Sequence, residues 1–203
     1  MPALEIVRLP NDHTSGATAG KPTPRAHVAD NDLALGRMIA GLSRSPFWKS
    51  TVVFVLEDDA QNGPDHVDSH RSPLLVISPW SRPGAFHRFT NTTDVIETME
   101  DILHLGSLSH FDHFGRPLDD IWATEPDLRP YEMHVPAVNL EEKNAAATRG
   151  AIESLRLKLG GEDESDDDDF SEILWHAVKG YDRAYPGPTR MAQVERTIGK
   201  ARR

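Results

Sequence analysis

Short apolar runs, each followed by a polar cluster, mark the first half of the chain. Residues 51–56 (TVVFVL) and 73–78 (PLLVIS) are too short for typical helices and too uniformly apolar for half-exposed strands. They therefore predict strands buried on both faces. Residues 4–9 (LEIVRL), which Pro10 ends, predict a third strand. Because a buried strand needs a neighbour on each side, we expect these strands to be part of a larger sheet.

Helical periodicity separates the predicted strands. Residues 28–44 and 91–105 carry apolar side chains at i, i+3, i+4 and i+7 spacing. The apolar positions of these two helices are Leu35, Met38, Ile39, Leu42, Val95, Ile96, Met99, Ile102 and Leu103. Asp94 and Glu97 form an acidic first turn in the second helix. Strands alternating with helices predict an α/β fold with a mainly parallel sheet.

The last third of the chain predicts a helical appendage. Residues 145–159 and 170–178 have helical patterns, and the acidic run EDESDDDD lies between them at 162–169. We interpret this run as a solvated linker. The sequence thus predicts two domains, an α/β domain at 1–136 and a helical, acidic appendage at 137–203.

Acidic and imidazole side chains follow the central strand directly. Asp58 and Asp59 come at its end, and Asp65, His66 and His70 follow a Gly-Pro turn. In open α/β sheets, ligands bind beyond the carboxyl ends of the strands. Two adjacent carboxylates need a cation nearby to stay ionised, and carboxylates with imidazoles suit zinc, manganese or iron. The other interpretation is a solvated loop, in which Asp, Asn, Gly and Pro occur because they favour turns.

A second polar cluster, which contains Asp12 and His13, follows the run at 4–9. Two parallel strands joined by a crossing helix end at the same edge of a sheet. We therefore expect His13 to lie close to Asp58 and Asp59.

Composition narrows the classes of function. The net charge of -10 over 203 residues argues against non-specific nucleic-acid binding. The absence of cysteine excludes disulfides and thiolate metal sites. No apolar run is long enough for a membrane span, and the first residues lack a signal-peptide pattern, so the sequence as written predicts a cytoplasmic protein.

Four segments resemble one known family in their order along the chain. They are LPNDHTSG at 9–16, VADNDLALGRMI at 28–39, the stretch 45–80 around VVFVLEDDAQNGPDHVDSHRS, and VIETMEDIL at 95–103. Together they resemble the phosphoesterase family of the alkaline phosphatase superfamily, which includes phospholipase C-like and acid-phosphatase-like enzymes. The nearest branch is the bacterial one in which this domain follows an N-terminal β-propeller. The resemblance covers 4–131, and ILWHAVKG at 173–180 is similar to the tail of that branch.

The resemblance implies a metal-dependent hydrolase of phosphate esters with a three-layer α/β/α fold. By position, the expected metal ligands are Asp12, Asp58, Asp59, His66 and His70. His13 matches a catalytic histidine near the transferred phosphoryl group, and Asp65 is the expected substrate-binding residue. The implied cofactor is a divalent metal ion, and the implied substrate is a small-molecule or lipid phosphate ester. Relatives in this family are often exported from the cell.

The family's Ser or Thr nucleophile has no counterpart in the segments that match. Thr14, Ser15 and Ser69 are the hydroxyls near the clusters, and we interpret each as a turn or cap residue. We therefore expect a truncated catalytic domain whose possible partner is its nucleophile-bearing N-terminal half. Such a chain should be slow by itself. The alternative is a catalytically inactive fragment that acts only as a binding or surface module.

Two further groups of histidine and aspartate form weaker patterns. His66 and Asp68 form the H-x-D of a 2-His-1-carboxylate iron site. Oxygenases of that kind need many alternating strands, which this sequence does not predict. His110 and His113 flank Asp112, and we interpret this group as surface or structural.

Overall fold

The computed structural model of the chain describes residues 2–11, 13–57, 71–160 and 164–187. Its helices are α1 (Pro24–Ser43), α2 (Thr92–Leu103), α3 (His110–His113), α4 (Arg149–Ser154) and α5 (Asp167–Lys179). Its strands are β1 (Val53–Leu56) and β2 (Leu74–Ile77), and short 3-10 helices cover Trp48–Ser50 and Asp119–Ile121. Helix therefore exceeds strand in the described part of the chain.

The chain divides into two compact units. The described residues of the hairpin unit lie within Met1–Val7, Ala40–Leu56 and Leu74–Tyr131, and those of the helical unit within Arg8–Ile39, Glu57–Pro73 and Glu132–Arg203. The hairpin unit holds β1, β2, α2 and α3, and the helical unit holds α4, α5 and most of α1. The predicted domain boundary at residue 136 stays a prediction.

The prediction of a mainly parallel three-layer α/β/α sheet is wrong. β1 and β2 pair antiparallel, with Val53 opposite Ile77 and Leu56 opposite Leu74, and the described residues form no other strand. In a parallel pair, a crossover carries the chain back to the end of the sheet where the first strand began. Here β2 begins at the end of the pair where β1 finishes, which makes the two strands antiparallel. The pair is also not buried on both faces, because Leu56 and Leu75 are exposed.

The prediction of a strand at 4–9 is wrong as well. This run has no strand conformation, and its Ile6 side chain is 93% exposed. A strand requires a partner whose backbone N–H and C=O groups complete its ladder. The described residues supply no such partner, so the apolar composition of the run alone does not make it a strand.

The core of the hairpin unit forms where α2 meets the residues that follow it. Val95 of α2, Leu118 and Ile121 are buried together. Strand residues Phe54 and Val76 pack against this cluster, as do Leu74, Met99 and Trp122. Full burial of one such aliphatic side chain contributes about 1.5–3 kcal/mol, so this cluster holds α2 against the strand pair.

The two long predicted helices of the first 136 residues are confirmed. α1 covers the predicted 28–44 apart from its last residue and begins earlier, at Pro24, where Pro suits the first turn. α2 begins after Asn91, whose side chain accepts from the Asp94 N–H while Asp94 accepts from the Asn91 N–H. This reciprocal capping box satisfies two N–H groups that the helix leaves without partners.

The helical unit packs α4 and α5 against the loop after Ser15. Gly16 has φ +55, and an added Cβ would lie 2.9 Å from the Leu157 side chain. The Ala17 N–H donates to Ser154 Oγ at 2.9 Å. Asn144 Nδ2 lies within hydrogen-bond distance of the carbonyls of Gly16, Thr18 and Pro22. Side chains from distant parts of the sequence therefore hold this loop in place.

The acidic run is only partly a linker. Residues 164–169 of the run are described, and within them Asp166 caps α5 by accepting from the N–H groups of Asp168 and Asp169. Asp167, Asp168 and Asp169 form the first turn of α5, where negative charge stabilises the helix dipole. The run therefore starts a helix. The predicted helix at 145–159 is shorter than expected, since α4 ends at Ser154.

Candidate functional site

One of the sequence-predicted site residues lies in the described part of the chain. His13 occupies an exposed bend of the helical unit. The other six lie outside the described residues; they are Asp12, Asp58, Asp59, Asp65, His66 and His70. Their proximity to His13 stays a prediction. The predicted proximity assumed two parallel strands that end at one edge of a sheet, and the described residues contain no such strands.

The residues that flank the acidic segment are described. Leu56 at the end of β1 lies opposite Leu74 at the start of β2. The Ser72 hydroxyl donates to the Glu57 carbonyl at 3.1 Å. The segment at 57–73 therefore leaves and returns at one end of the strand pair.

Two glutamates on α2, of which Glu97 is partly buried and Glu100 buried, form the first part of a carboxylate cluster. Glu97 and Glu100 are three residues apart, which places both on one side of the helix. Glu100 is only 4% exposed. Its Oε1 accepts from the Leu108 N–H at 3.0 Å, and its backbone carbonyl accepts from the Leu105 N–H at 2.9 Å. The chain after α2 thus folds back over Glu100.

Asp112 of α3 completes this cluster. The Asp112 side chain is buried, with the residue 3% exposed, and accepts from the N–H groups of Leu108 at 2.7 Å and Ser109 at 3.1 Å. The Ser109 hydroxyl also donates to it. Since Leu108 donates one N–H to both Asp112 and Glu100, the two carboxylates are drawn together.

We call Glu97, Glu100 and Asp112 the acidic triad. Each offers a carboxylate oxygen, and these atoms all lie within 4.8 Å of one another. Oε2 of Glu97 and Oε2 of Glu100 are buried and have no hydrogen-bond partner. Among the described residues, none forms an ion pair with a member of the triad. Buried carboxylates without a donor or a positive charge are costly.

The pKa values of Asp112 and Glu100 shift in opposite directions. The Ser109 hydroxyl, followed by backbone N–H groups that outweigh burial, lowers the pKa of Asp112 to about 2. Burial raises the pKa of Glu100, and the negative charge of Asp112 raises it further. Asp112 is thus ionised at neutral pH, and Glu100 is a group that a proton or another positive charge would stabilise.

A second charged cluster lies in the helical unit, and there a positively charged side chain of the protein pairs with the carboxylate. Arg149 Nε donates to Glu153 Oε1 at 2.8 Å, and the Tyr181 hydroxyl donates to Glu153 Oε2 at 2.7 Å. The Tyr181 ring stacks on His176 with centroids 4.4 Å apart. Arg149 and Glu153 also line a pocket of about 290 Å³ with Arg156, Asp169, Glu172 and Ile173. Every carboxylate oxygen of Glu153 therefore has a donor.

The sequence interpretation missed the acidic triad, although two local patterns point to it. Glu97 and Glu100 are acids at i, i+3 spacing within a predicted helix. Ser109 and Asp112 have the spacing of a capping box, which places an acid at the start of another helix. Asp112 was instead interpreted together with its neighbours His110 and His113. Only the turn that joins the two helices brings these patterns together.

The described residues include no helix that is both long and apolar enough to cross a membrane. Comparisons of the chain with protein-family models, with curated proteins and with solved structures give no match. The family resemblance therefore rests on the sequence alone, on the four ordered segments and the segment at 173–180.

Proposed function

We propose that the chain supplies the metal-binding part of a metal-dependent phosphoesterase. The observation that carries this proposal is the acidic pair Asp58-Asp59 directly after β1, within a stretch that resembles the family in order and spacing. His66 and His70 follow closely. Carboxylates and imidazoles in one short segment form a donor set suited to zinc, manganese or iron.

The described flanks of this segment support the proposal. Because Leu56 and Leu74 face each other across the strand pair, the segment between them is anchored at both ends. The two ends of the segment are therefore held close together, which reduces the entropy that binding one metal ion within it must overcome. A metal held there would neutralise charge on the oxygens of a bound phosphoryl group.

The proposed role is binding rather than nucleophilic attack. Thr14 is engaged in a local turn, where its Oγ1 accepts from the Gly16 N–H at 3.3 Å. Neither Thr14 nor Ser15 matches the family's nucleophile. His13 is assigned to phosphate contact, and Asp65 to contact with the rest of the substrate.

Calorimetric titration with Mn²⁺, followed by inorganic phosphate, tests this proposal. We expect the wild-type chain to bind Mn²⁺ and the metal-loaded chain to bind phosphate. Asp58→Asn/Asp59→Asn should lose both, whereas His13→Ala should keep the metal and lose phosphate. Asp119→Asn/Asp120→Asn is the matched control, since it removes an adjacent acidic pair from a 3-10 helix elsewhere. Equal Mn²⁺ binding by the Asp58/Asp59 variant and by this control would overturn the proposal.

Hydrolysis assays address the alternative of an inactive binding module. An aryl phosphate and an aryl phosphodiester are incubated with the chain and Zn²⁺, Mn²⁺, Mg²⁺ or Ca²⁺. Metal and phosphate binding without turnover would assign the chain to binding alone. Turnover that disappears in Asp59→Asn would show that the chain also contains a nucleophile, and Thr14→Val would then be the next variant.

A further inference from the structure

We propose that the acidic triad of Glu97, Glu100 and Asp112 is a binding site for a hard divalent cation, with Ca²⁺ as the best fit. This site is independent of the proposed phosphoesterase function. It uses different residues, and it lies wholly within the hairpin unit. Its role is to hold α3 against the end of α2.

The three carboxylates of the acidic triad converge. Three carboxylate oxygens within 4.8 Å of one another match the span of a Ca²⁺ ion, whose oxygen ligands lie at about 2.3–2.6 Å from the metal. The ligands come from two helices joined by a short turn. A cation between them would therefore restrain the connection as well as neutralise charge.

Glu100 also has an unsatisfied oxygen. This residue is 4% exposed, and its Oε1 is held by the Leu108 N–H, yet its Oε2 has no partner. The neighbouring Glu97 Oε2 is likewise buried and without a partner. Both are acceptors, so neither can satisfy the other without a proton or a cation between them.

The chemistry of the donors selects the class of cation. All three ligands are carboxylates, and hard ions such as Ca²⁺, Mg²⁺ and Mn²⁺ prefer oxygen ligands. Mg²⁺ requires near-ideal octahedral geometry and gives up its waters reluctantly, which a partly buried site of three ligands does not favour. Ca²⁺ tolerates irregular geometry and variable coordination number.

The competing occupant of the acidic triad is a proton shared between carboxyl groups. A shared proton would satisfy Glu100 without any metal, and calcium would then have no site. The two occupants therefore give opposite results when Ca²⁺ is added at neutral pH.

The experiment is Ca²⁺ titration of the full chain by calorimetry, with thermal unfolding measured in parallel. It is carried out in the Asp58→Asn/Asp59→Asn background, so that the proposed phosphoesterase site does not contribute. We expect one Ca²⁺ per chain with Kd about 10⁻⁴ M, weaker binding of Mg²⁺, and a higher unfolding temperature when Ca²⁺ is present.

Glu100→Gln is the decisive variant, and Asp101→Asn is its matched control. The glutamine side chain would keep an acceptor for the Leu108 N–H while removing the charge, so the fold should persist. We expect this variant to bind Ca²⁺ at least about tenfold more weakly and to lose the thermal shift. Asp101→Asn removes a charge from an exposed position of the same helix and should bind as the background does. Glu97→Gln is the second variant if the first fails to fold.

Two results would overturn the inference. One is equal Ca²⁺ affinity in Glu100→Gln and Asp101→Asn. The other is no Ca²⁺ binding by the background protein, which would assign the acidic triad to a shared proton. Neither result bears on Mn²⁺ binding at Asp58 and Asp59, so the two proposals fail separately.

Discussion

In the described part of the chain, the carboxylate of Glu153 and the acidic triad compensate their negative charge in different ways. In the helical unit, Glu153 accepts from Arg149 and Tyr181, so its carboxylate is paired within the protein. In the hairpin unit, Glu100 lies beside Glu97 and Asp112, and none of the described residues offers it a positive charge. Glu153 and Glu100 thus each lie on a helix beside a charged residue of that helix, which is positive beside Glu153 and negative beside Glu100.

Spacing and sign explain the difference. Arg149 and Glu153 are four residues apart on α4 and have opposite charges, a combination that stabilises a helix. Glu97 and Glu100 are three residues apart on α2 and have the same charge, which destabilises it. Glu100 is buried although it lies beside a like charge, and burial of such a charge requires a compensating proton or positive charge. The contrast therefore points to an external positive charge at the acidic triad and to none at Glu153.

The largest expected effect concerns Asp94, which shows that α2 can also bury a fully paired carboxylate. Asp94 is 2% exposed, and it accepts from the N–H groups of Asn91 at 3.2 Å and Arg116 at 2.8 Å. Asp94→Ala leaves these N–H groups without an acceptor. We expect the free energy of unfolding to fall by about 2–4 kcal/mol, measured by urea denaturation.

Asp101→Ala is the control for Asp94, since it lies on the same helix but is exposed. Its effect should stay within about 0.5 kcal/mol. If both variants lose the same small amount of stability, the hydrogen bonds from Asn91 and Arg116 do not explain why Asp94 is buried.

The next effect is a difference in sign between the two clusters. Glu153→Gln keeps an acceptor but loses the charge opposite Arg149, whose side chain is 65% exposed. We expect the free energy of unfolding to fall by about 0.5–1 kcal/mol. Glu100→Gln, measured with a metal chelator present, should leave stability unchanged or raise it, because it removes a buried negative charge that no positive group among the described residues offsets. Urea denaturation of both variants at pH 7 checks the comparison, which fails if Glu100→Gln is the more destabilising change.

The dependence of stability on pH should also differ in direction. Burial raises the pKa of Glu153, but hydrogen bonds from Arg149 and Tyr181 outweigh it and the net pKa lies below 4.5. The stability that Glu153 contributes is therefore present above pH 4.5 and lost as the pH falls below that value. The pKa of Glu100 is raised above 4.5 by burial and then by Asp112. Its contribution is favourable below pH 4.5 and is lost as the pH rises through its folded-state pKa.

This prediction is measured as the stability difference between wild type and each Gln variant from pH 3.5 to 7, with a chelator present. The wild-type advantage over Glu153→Gln should shrink as the pH falls. The wild-type advantage over Glu100→Gln should shrink as the pH rises. Parallel curves for the two variants would mean that the acidic triad behaves like the paired cluster.

The helices could be predicted because their information is local. The capping residue Asn91 and the apolar spacing of α2 lie within one segment, so the pattern alone located the helix. The apolar runs also predict the two strands, but they do not predict whether the strands pair parallel or antiparallel. Residues 73–78 have the same composition whether they pair parallel or antiparallel, and the path of the chain between the strands decides.

The acidic triad could not be predicted from the pattern of α2 by itself. Glu97 and Glu100 are typical of a solvent-facing polar side. Glu100 becomes buried because His104 adopts a left-handed conformation with φ 56, which ends the helix and turns the chain back toward it. Leu108 and Asp112 then cover Glu100, and no local pattern encodes that contact. The predicted ligands Asp58 and Asp59 lie outside the described residues.

The smallest effect is spectroscopic and tests the paired cluster directly. Partial burial, and then the hydrogen bond to Glu153, raise the pKa of Tyr181 from 10.0 to about 12. Absorbance at alkaline pH should therefore show Tyr181 mostly protonated at pH 11 in the folded chain, whereas in urea it should ionise near pH 10. The stabilisation linked to this shift is present below pH 10 and lost as the pH rises toward 12.

The difference between wild type and Tyr181→Phe isolates this group from Tyr131 and Tyr185, and circular dichroism at each pH confirms that the chain is still folded. Glu153→Gln should move the Tyr181 transition toward pH 10, because the negative partner is gone. An unchanged transition in that variant would mean that Glu153 and Tyr181 do not interact in solution, and the contrast with the acidic triad would lose its paired side.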